Sequence, residues 1–356
     1  MKKNIVFFIP SIEGAGVEKN FFLLLKFLSR KFNKIFIVSV DKKIFKKSDK
    51  IIQINPSSKF FSNKSRLFKT IISLHLLIKN FAFKDTTILS FQSNVPVIII
   101  SKIFGFKILV RLNTSLKKYV NSLSKKLFFK VVYSLADEII VNSKAFKNEL
   151  TEMNIKSNLI YNLNSPKKVK KDLKFFEKYK GLKILNIGRL TSQKDQITLI
   201  KSLSILRLKK IDFRCCIIGR GDLMENLKKS ILEYKLSKNV ILSGYKKDAE
   251  SYIHNSNLFV LTSKYEGLPN VLIEAQKYNV PIISSNCPTG PKEILLNGKL
   301  GDLFKVGDYK NLANKIIAFY QKKKRLRKKS LLAENYFFRF DPILNSLKYK
   351  RLIDKT

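Results

Sequence analysis

The chain has 356 residues, 45% of them hydrophobic, and a formal net charge of +44, because 70 Lys and Arg stand against 26 Asp and Glu. This composition excludes a wholly disordered protein and leaves room for two domains. The charge favours an anionic partner such as nucleic acid, acidic lipid or a phosphorylated substrate, although a coding bias toward Lys, Asn, Ile and Phe would also produce it.

In the first half of the chain, apolar runs alternate with segments of helical periodicity. Strands are predicted at residues 5–9, 34–40, 86–91, 107–110 and 138–141. Helices are predicted after a glycine loop near residue 16 and at residues 67–78, 95–103, 123–135 and 144–153. Regular alternation of strands and helices predicts a parallel, doubly wound sheet.

The glycine loop after the first strand contains Gly14 and Gly16, which would let a ligand approach the backbone closely. Lys19 occupies the position where a dinucleotide fingerprint needs its third glycine. The pattern therefore does not favour a dehydrogenase.

Lysines lie beside aromatic and aliphatic residues in residues 115–119 and 124–130. A helix of this composition could lie on an anionic membrane surface. An ordinary domain helix with solvated lysines is the alternative. The longest apolar run, residues 95–110, contains Lys102 and Lys107 and is too short to span a bilayer, so we expect a soluble or membrane-surface protein.

Few residues are suited to metal or redox chemistry. Cys215, Cys216 and Cys287 lack zinc-type spacing and are too few for a disulfide framework, which fits a reducing compartment. His75 and His254 are the two histidines, and we expect both to be structural. The chain contains no Asp-x-Asp metal motif.

The strand and helix pattern restarts after a polar, charged segment at residues 164–181, where we expect a domain boundary. Strands are predicted at residues 182–187, 213–218, 240–242, 258–261 and 281–284. Glycine follows the strand in several of these units. Their loops should therefore gather at the carboxyl edge of the sheet, where open α/β sheets bind ligands.

Residues 265–275, Tyr-Glu-Gly-Leu-Pro-Asn-Val-Leu-Ile-Glu-Ala, follow one of these strands and open a helix. Pro269 suits the first helical position, so the amides of the next three residues should point out of the helix end and could hold an anion. Glu266 and Glu274 would then grip hydroxyl groups on either side of a bound phosphate. The alternative is a loop Glu and a helix-forming Glu, both solvated.

Several motifs in the second half resemble those of family 4 of the retaining glycosyltransferases, in order and approximate spacing. They are Gly188-Arg189-Leu190 with Lys194-Asp195, Gly219-Arg220-Gly221, Gly244-Tyr245, and Glu266 with Glu274 seven residues further on. The loop at Gly14 and Gly16 and the segment 333–340 resemble that family's N-terminal loop and closing helix. The resemblance covers nearly the whole chain and is strongest in residues 182–308.

The resemblance implies an α/β fold of the GT-B type, with two doubly wound Rossmann-like domains facing across a cleft. Residues 1–170 would be the acceptor-binding domain, with the C-terminal helix 340–356 packing back on it. Residues 171–339 would be the nucleotide-sugar-binding domain.

The resemblance also implies roles for residues. Glu266, Arg189 and Lys194 would be catalytic: the two cations would hold the donor diphosphate, and Glu266 would bind the sugar hydroxyls. Glu274 would bind the ribose. The full donor-binding set would be Gly14, Gly16, Gly188, Gly244, Tyr245, Gly267, Leu268, Pro269, Asn270, Val271 and Glu274.

No metal and no other cofactor is expected, because the cations and the helix end would take the place of a metal at the diphosphate. Many members of the family carry a histidine after the strand that ends here near Val110. This chain has Arg111 and Asn113 there, and we expect one or the other to supply the sugar or acceptor contact.

The expected function is retaining transfer of a hexose or N-acetylhexosamine from a nucleotide diphosphate sugar, in first place a UDP-sugar. The expected acceptor is a lipid-linked, lipopolysaccharide or capsule glycan, reached from the cytoplasmic face of an anionic cell membrane. The alternatives are another GT-B enzyme, such as a nucleotide-sugar epimerase, or a basic nucleic-acid-binding protein. No recognisable nucleic-acid module supports the last one.

Overall fold

The computed structural model describes residues 4–12, 16–41, 49–56, 61, 64–81, 85–120, 122–165, 169, 176 and 179–356. The chain divides into two compact units. Unit 1 comprises Met1–Ser165 and Phe340–Thr356, and unit 2 comprises Pro166–Arg339. Each unit is built on its own parallel β-sheet.

Unit 1 contains a seven-stranded sheet. Its strands are β1 (Asn4–Phe8), β2 (Ile35–Val38), β3 (Ile51–Ile54), β4 (Thr86–Ser90), β5 (Lys107–Leu112), β6 (Glu138–Val141) and β7 (Asn158–Leu159). The order is β3-β2-β1-β4-β5-β6-β7, and all pairs are parallel. Apolar side chains fill the central strands because helices cover both faces.

In the described ranges, the α-helices between these strands are α1 (Gly16–Leu28), α2 (Arg66–Asn80), α3 (Asn94–Ile103), α4 (Leu123–Ser134) and α5 (Lys144–Thr151). Successive residues of β1 point to opposite faces, as the period of a strand requires. Val6 and Phe8 pack in a cluster with residues of α2 to α5, whereas Ile5 and Phe7 pack in a second cluster with residues of α1.

Unit 2 contains a six-stranded sheet. Its strands are β8 (Leu182–Ile187), β9 (Phe213–Ile218), β10 (Val240–Leu242), β11 (Leu258–Leu261), β12 (Ile282–Ser285) and β13 (Asp302–Phe304). The order is β10-β9-β8-β11-β12-β13, so the direction of winding reverses between β8 and β11. Ligands of doubly wound sheets bind at such a switch point.

The helices of unit 2 are α6 (Gln196–Leu208), α7 (Met224–Glu233), α8 (Ala249–His254), α9 (Asn270–Lys277), α10 (Pro291–Ile294), α11 (Tyr309–Gln321) and α12 (Lys323–Leu332). Helices α11 and α12 are separate because Lys322, between them, leaves the helical conformation with φ −127° and ψ 71°. None of the helices in the described ranges is both long and apolar enough to cross a bilayer.

A last helix, α13 (Pro342–Lys355), belongs to unit 1. Pro342 occupies its first turn and Asp341 caps it by accepting a hydrogen bond of 2.7 Å from the Leu344 amide. Tyr349 and Ile353 of α13 pack in the same cluster as α1. The two parallel, doubly wound sheets confirm the fold class expected from the sequence.

Candidate functional site

The loops that follow β8 and β11 meet at the switch point of unit 2. The Lys264 amide donates to the carbonyl of Gln193 over 2.8 Å, and the Gln193 side chain donates to the carbonyl of Tyr265 over 2.9 Å. Thr262 donates from its hydroxyl to the carbonyl of Lys194 over 2.9 Å. These bonds fasten the two loops to each other, although they are far apart in sequence.

A buried ion pair joins the same loops. Nζ of Lys194 lies 2.5 Å from Oε1 of Glu266, and the two side chains are only 16% and 7% exposed. The Ser263 hydroxyl donates to the same Oε1 over 2.6 Å, and the Thr289 hydroxyl donates to the Glu266 carbonyl. The carboxylate of Glu266 is thereby fixed in position and its charge is balanced.

Arg189 lies in the loop after β8, and its side chain is exposed. Its guanidinium donates to Oε1 of Gln193 over 3.2 Å, and its carbonyl accepts a hydrogen bond of 3.0 Å from Gln196. The backbone of this loop is therefore held on both sides, while the cationic head faces solvent near the carboxyl edge of the sheet.

The neighbouring loop after β9 packs against the backbone of the Arg189 loop. The Leu190 amide donates to the carbonyl of Arg220 over 2.8 Å. A Cβ atom at Gly219 would overlap the carbonyl of Gly188, so only glycine allows this approach. The packing of these two loops thus requires glycine at position 219, and the approach of Gly188 to a donor stays a prediction.

Tyr245 extends the site toward β10. Its ring is 54% exposed and lies 5.5 Å from the guanidinium carbon of Arg220. The preceding Gly244 has φ +65° and accepts a hydrogen bond of 3.0 Å from the Gly219 amide. Arg220 and Tyr245 therefore place a guanidinium group beside an exposed aromatic ring. A planar ring such as a nucleotide base can stack on groups of this kind.

Helix α9 begins one residue later than expected. Pro269 is its N-cap with φ −68° and ψ 109°, and Asn270 is its first helical residue. The Leu272 amide donates to the Pro269 carbonyl over 3.1 Å, so the prediction that this amide points out of the helix end is wrong. Asn270 and Val271 contribute the first two amides at the positive end of the helix.

The loop after β12 supports this helix start, and the sequence reasoning did not include it in the site. Gly290 has φ +82°, and a Cβ atom there would overlap the Gly267 carbonyl and the Pro269 ring. Gly290 therefore packs directly against Gly267 and Pro269, and Thr289 holds the Glu266 carbonyl beside them. The Pro-Thr-Gly-Pro turn directly after a strand was the signal that could have identified them.

Glu274 lies one turn inside α9 and is buried, like its neighbours Ile273 and Ala275. The side chain of Glu266 is only 7% exposed. The alternative that both carboxylates are merely solvated is therefore wrong. Burial of a carboxylate is costly without compensating partners, and such groups concentrate at functional sites.

In unit 1, Arg111 is among the largest fully buried side chains at 1% exposure. Its guanidinium lies 2.5 Å from Oδ1 of Asn162 and 5.7 Å from the Phe91 ring centroid. The expectation that Arg111 contacts an acceptor is therefore wrong, because the group is enclosed within the unit. Asn113 is half-buried and donates to the Phe91 carbonyl over 3.0 Å.

The N-terminal glycine loop is only partly described. Gly16 is the first residue of α1, and its carbonyl accepts a hydrogen bond of 3.3 Å from the Asn20 side chain. Gly14 lies outside the described residues.

The cysteines remain thiols at neutral pH. Burial, and then the nearby charge of Glu266, raise the pKa of Cys287 to about 12. Burial raises the pKa of Cys216 to about 11. In the described part of the chain, no group of three or more His, Cys, Asp or Glu side chains is arranged to hold a metal ion.

Residues 167–331, which include every loop of the switch point, match the family model of glycosyl transferases group 1. Unit 2 contains a group 1 glycosyltransferase domain. The prediction of a glycosyltransferase is thereby confirmed at the level of this domain. The assignment to family 4 and the retaining mechanism stay predictions.

Several curated relatives are glycosyltransferases by name. A glycosyltransferase of Methanocaldococcus jannaschii is 34% identical over 223 residues, which cover 57% of this chain and 55% of that protein. The match thus spans about half the length of this relative. The Campylobacter jejuni N-acetylgalactosamine-N,N'-diacetylbacillosaminyl-diphospho-undecaprenol 4-alpha-N-acetylgalactosaminyltransferase is 27% identical over 317 residues, covering 84% of this chain and 85% of the relative.

Solved structures share the fold over nearly the whole chain. Anabaena HepE in complex with UDP has a TM-score of 0.79 at 17% identity, with coverage of 99% of this chain and 100% of that one. Sucrose-phosphate synthase from Thermosynechococcus elongatus has a TM-score of 0.82 at 17% identity, with coverage of 99% and 98%. At these identities the similarity shows the fold alone.

Proposed function

We propose that the protein is a retaining glycosyltransferase that moves a hexose or N-acetylhexosamine from a nucleotide diphosphate sugar, a UDP-sugar in first place, to a glycan acceptor. The observation that carries this proposal is the buried Lys194 and Glu266 pair at the switch point, with Arg189 in the same loop as Lys194 and the start of α9 just beyond Glu266. Support for the UDP-sugar comes from the related HepE fold, which was crystallised with UDP and with UDP-glucose.

The chemistry of this site suits departure of a nucleoside diphosphate. As the bond between the anomeric carbon and the diphosphate oxygen breaks, negative charge builds on the leaving phosphate. Arg189 and Lys194 neutralise that charge, and the positive end of α9 adds to the effect. Lys194 exchanges Glu266 for the phosphate, which leaves Oε1 of Glu266 able to accept hydrogen bonds from sugar hydroxyls.

The reaction is proposed to need no metal, because two cationic side chains and the positive end of a helix would together neutralise the diphosphate. Glu274 binds the ribose from within α9, and Tyr245 with Arg220 stacks on the base. We propose family 4 membership and retention of the anomeric configuration because the order of the motifs resembles that of this family.

The proposed acceptor is a lipid-linked or surface-polysaccharide glycan at the cytoplasmic face of an anionic membrane, and not a nucleic acid. Support comes from relatives that are named for a diphospho-undecaprenol acceptor in Campylobacter jejuni and for capsular polysaccharide biosynthesis in Staphylococcus aureus. The net charge of +44 favours an anionic surface.

The test is donor hydrolysis and thermal stabilisation across UDP-, GDP-, ADP- and TDP-sugars, with EDTA present, for the wild type and Glu266→Gln. One nucleotide sugar should stabilise the wild type and be hydrolysed slowly without metal, whereas the variant should bind it weakly. If no nucleotide sugar has any effect while RNA binds tightly, the transferase proposal is wrong. Hydrolysis that requires added Mg²⁺ or Mn²⁺ would refute metal independence alone.

A further inference from the structure

Helix α4 in unit 1 carries apolar side chains on the side that faces solvent. Leu123, Leu127, Val131 and Leu135 follow one another at intervals of four residues and are 83%, 61%, 54% and 45% exposed. We call these four residues, together with Phe128, the α4 ridge. Phe128 is 49% exposed and lies beside Leu127. Residues four apart on a helix are neighbours, so the ridge is continuous.

The ridge is separate from the face that α4 buries. Val132 and Tyr133 point into the core of unit 1 and are 5% and 4% exposed. A surface helix of a globular protein ordinarily has one apolar stripe, which faces the core. Helix α4 has two, and its second stripe forms a large apolar patch of the kind that marks an interaction site.

Lysines flank the ridge on both sides. Lys126 and Lys130 each precede a ridge residue by one position and line one edge, and Lys125 lies three residues before Phe128 on the other edge. Lys125 and Lys126 are exposed, and Lys130 is half-buried. Residues 123–135 contain no Asp or Glu. The exposed side of α4 is therefore apolar in the middle and basic at its margins.

We propose that the α4 ridge docks on the surface of an anionic lipid bilayer, with its apolar side chains below the headgroups and the flanking lysines at the level of the lipid phosphates. An apolar stripe bordered by Lys is the pattern of helices that lie in a membrane interface. A second copy of this chain is a poorer occupant, because pairing two ridges would bring like-charged lysines together in a protein of net charge +44. The proposal deepens the proposed membrane location and does not depend on the donor.

Insertion can be measured directly, because the chain contains no tryptophan. Leu127→Trp places a single fluorescent reporter on the ridge, and Leu208→Trp, at an exposed leucine of unit 2, is its control. Vesicles of phosphatidylcholine with phosphatidylglycerol should shift the emission of Leu127→Trp to shorter wavelength and protect it from quenching by acrylamide. The Leu208→Trp emission should not change. An unchanged emission of Leu127→Trp in vesicle-bound protein would overturn the proposal.

Sedimentation with the same vesicles separates ridge docking from general attraction by charge. At about 1 M salt the Debye length is about 3 Å, so attraction by distant lysines is largely screened. Wild type should still sediment with the vesicles. The double variant Leu127→Ser with Phe128→Ser, which we call the ridge variant, should bind them at least tenfold more weakly. The control pair Leu208→Ser with Leu232→Ser, at exposed leucines of unit 2, should bind as wild type. Equal binding of the ridge variant, or a dimer in solution that the ridge variant abolishes, would contradict lipid docking.

Donor hydrolysis without vesicles keeps this inference distinct from the proposed function. The ridge variant should hydrolyse the donor at the wild-type rate, since no residue of the ridge is among those placed in the donor site. A wild type that binds vesicles and hydrolyses no donor would refute the transferase and leave the docking surface standing. A wild type that hydrolyses the donor and does not bind vesicles would refute the docking surface alone.

Discussion

The ammonium nitrogen of Lys194 lies 2.5 Å from Oε1 of Glu266, and this contact joins two loops that are 72 residues apart in sequence. Each group compensates the charge of the other in a largely buried position. The site therefore holds a cation and a carboxylate that a donor diphosphate and a sugar would engage separately. Stability and activity should respond differently when one or both partners are replaced.

We expect Lys194→Met to lower the free energy of unfolding by about 3 kcal/mol, because it leaves the Glu266 carboxylate buried and unpaired. Donor turnover should fall about a hundredfold. The double variant Lys194→Met with Glu266→Gln should regain most of the stability and none of the turnover. Urea unfolding and donor hydrolysis measure the two effects. Lys228→Met, in an exposed pair with Glu225, is the control and should cost less than about 1 kcal/mol.

Arg189→Ala should lower donor turnover about a hundredfold, a loss of about 2.7 kcal/mol in transition-state stabilisation, with little change in melting temperature because the side chain is exposed. Arg327→Ala, at another exposed arginine of unit 2, should leave turnover unchanged. Near-normal turnover in Arg189→Ala would remove this residue from the site.

Glu274→Ala should also lower donor turnover about a hundredfold. Because Glu274 is buried, a general loss of stability must be separated from a loss of ribose contact. The Michaelis constant for the nucleotide sugar should rise, whereas binding of inorganic diphosphate, which Arg189 and Lys194 would hold, should stay close to that of wild type. If the binding of the nucleotide sugar and the binding of inorganic diphosphate were both lost, Glu274 would support the fold of α9 and would not bind the ribose.

Gly290→Ala should impair the site more than Gly307→Ala, although both glycines have positive φ, +82° and +77°. A positive φ strains an alanine at either position by about 1 kcal/mol or more. Only at Gly290 would the new methyl group overlap the Gly267 carbonyl, whereas Gly307 has open space around it. Thermal unfolding with and without UDP should show a weaker nucleotide effect in Gly290→Ala alone.

Acid should reveal the contribution of Asp302. Burial alone would raise its pKa, but hydrogen bonds from Arg325 and Lys329 outweigh burial and hold the pKa below the usual 3.8. A lowered folded-state pKa means that the carboxylate stabilises the fold above its unfolded-state pKa, and that this stability is lost as pH falls through the folded-state pKa. Asp302→Asn should therefore be about 1–3 kcal/mol less stable than wild type at neutral pH. The two unfolding free energies should converge below about pH 4.

The strands that the sequence predicted well are those that carry continuous apolar runs, such as Phe213–Ile218, because they are covered on both faces. The three strands that it missed are β3, β7 and β13, and each lies at the edge of its sheet. An edge strand has one neighbour and needs fewer apolar residues. Its pattern is therefore weak: Asn158–Leu159 has only two residues.

The sequence-based prediction placed Arg111 wrongly for a related reason, which is the position of a strand end. The strand was expected to end at Val110, which would have put Arg111 in a loop. The structure continues β5 to Leu112, so Arg111 points to the same face of the sheet as Leu109, into the core beneath α13. Sequence periodicity locates a strand but fixes its last residue poorly.

Within the candidate site, the residue types were predictable and their pairings were not. Arg189, Lys194 and Glu266 were identified from the order of the motifs, which indicates the kinds of side chain that the site contains. The bond from Ser263 to Glu266 and the support of Pro269 by Gly290 depend on how three loops pack at one sheet edge. Spacing along the chain carries little information about such contacts.

The return of α13 to unit 1 has a consequence for biosynthesis. Tyr349 and Ile353 fill the same core cluster as Phe21 and Leu24 of α1, so unit 1 needs a segment that follows unit 2 in the chain to close its core. Unit 2, whose residues form one continuous segment, is fully synthesised before α13 emerges. Unit 2 is therefore able to complete its folding during translation before unit 1 is.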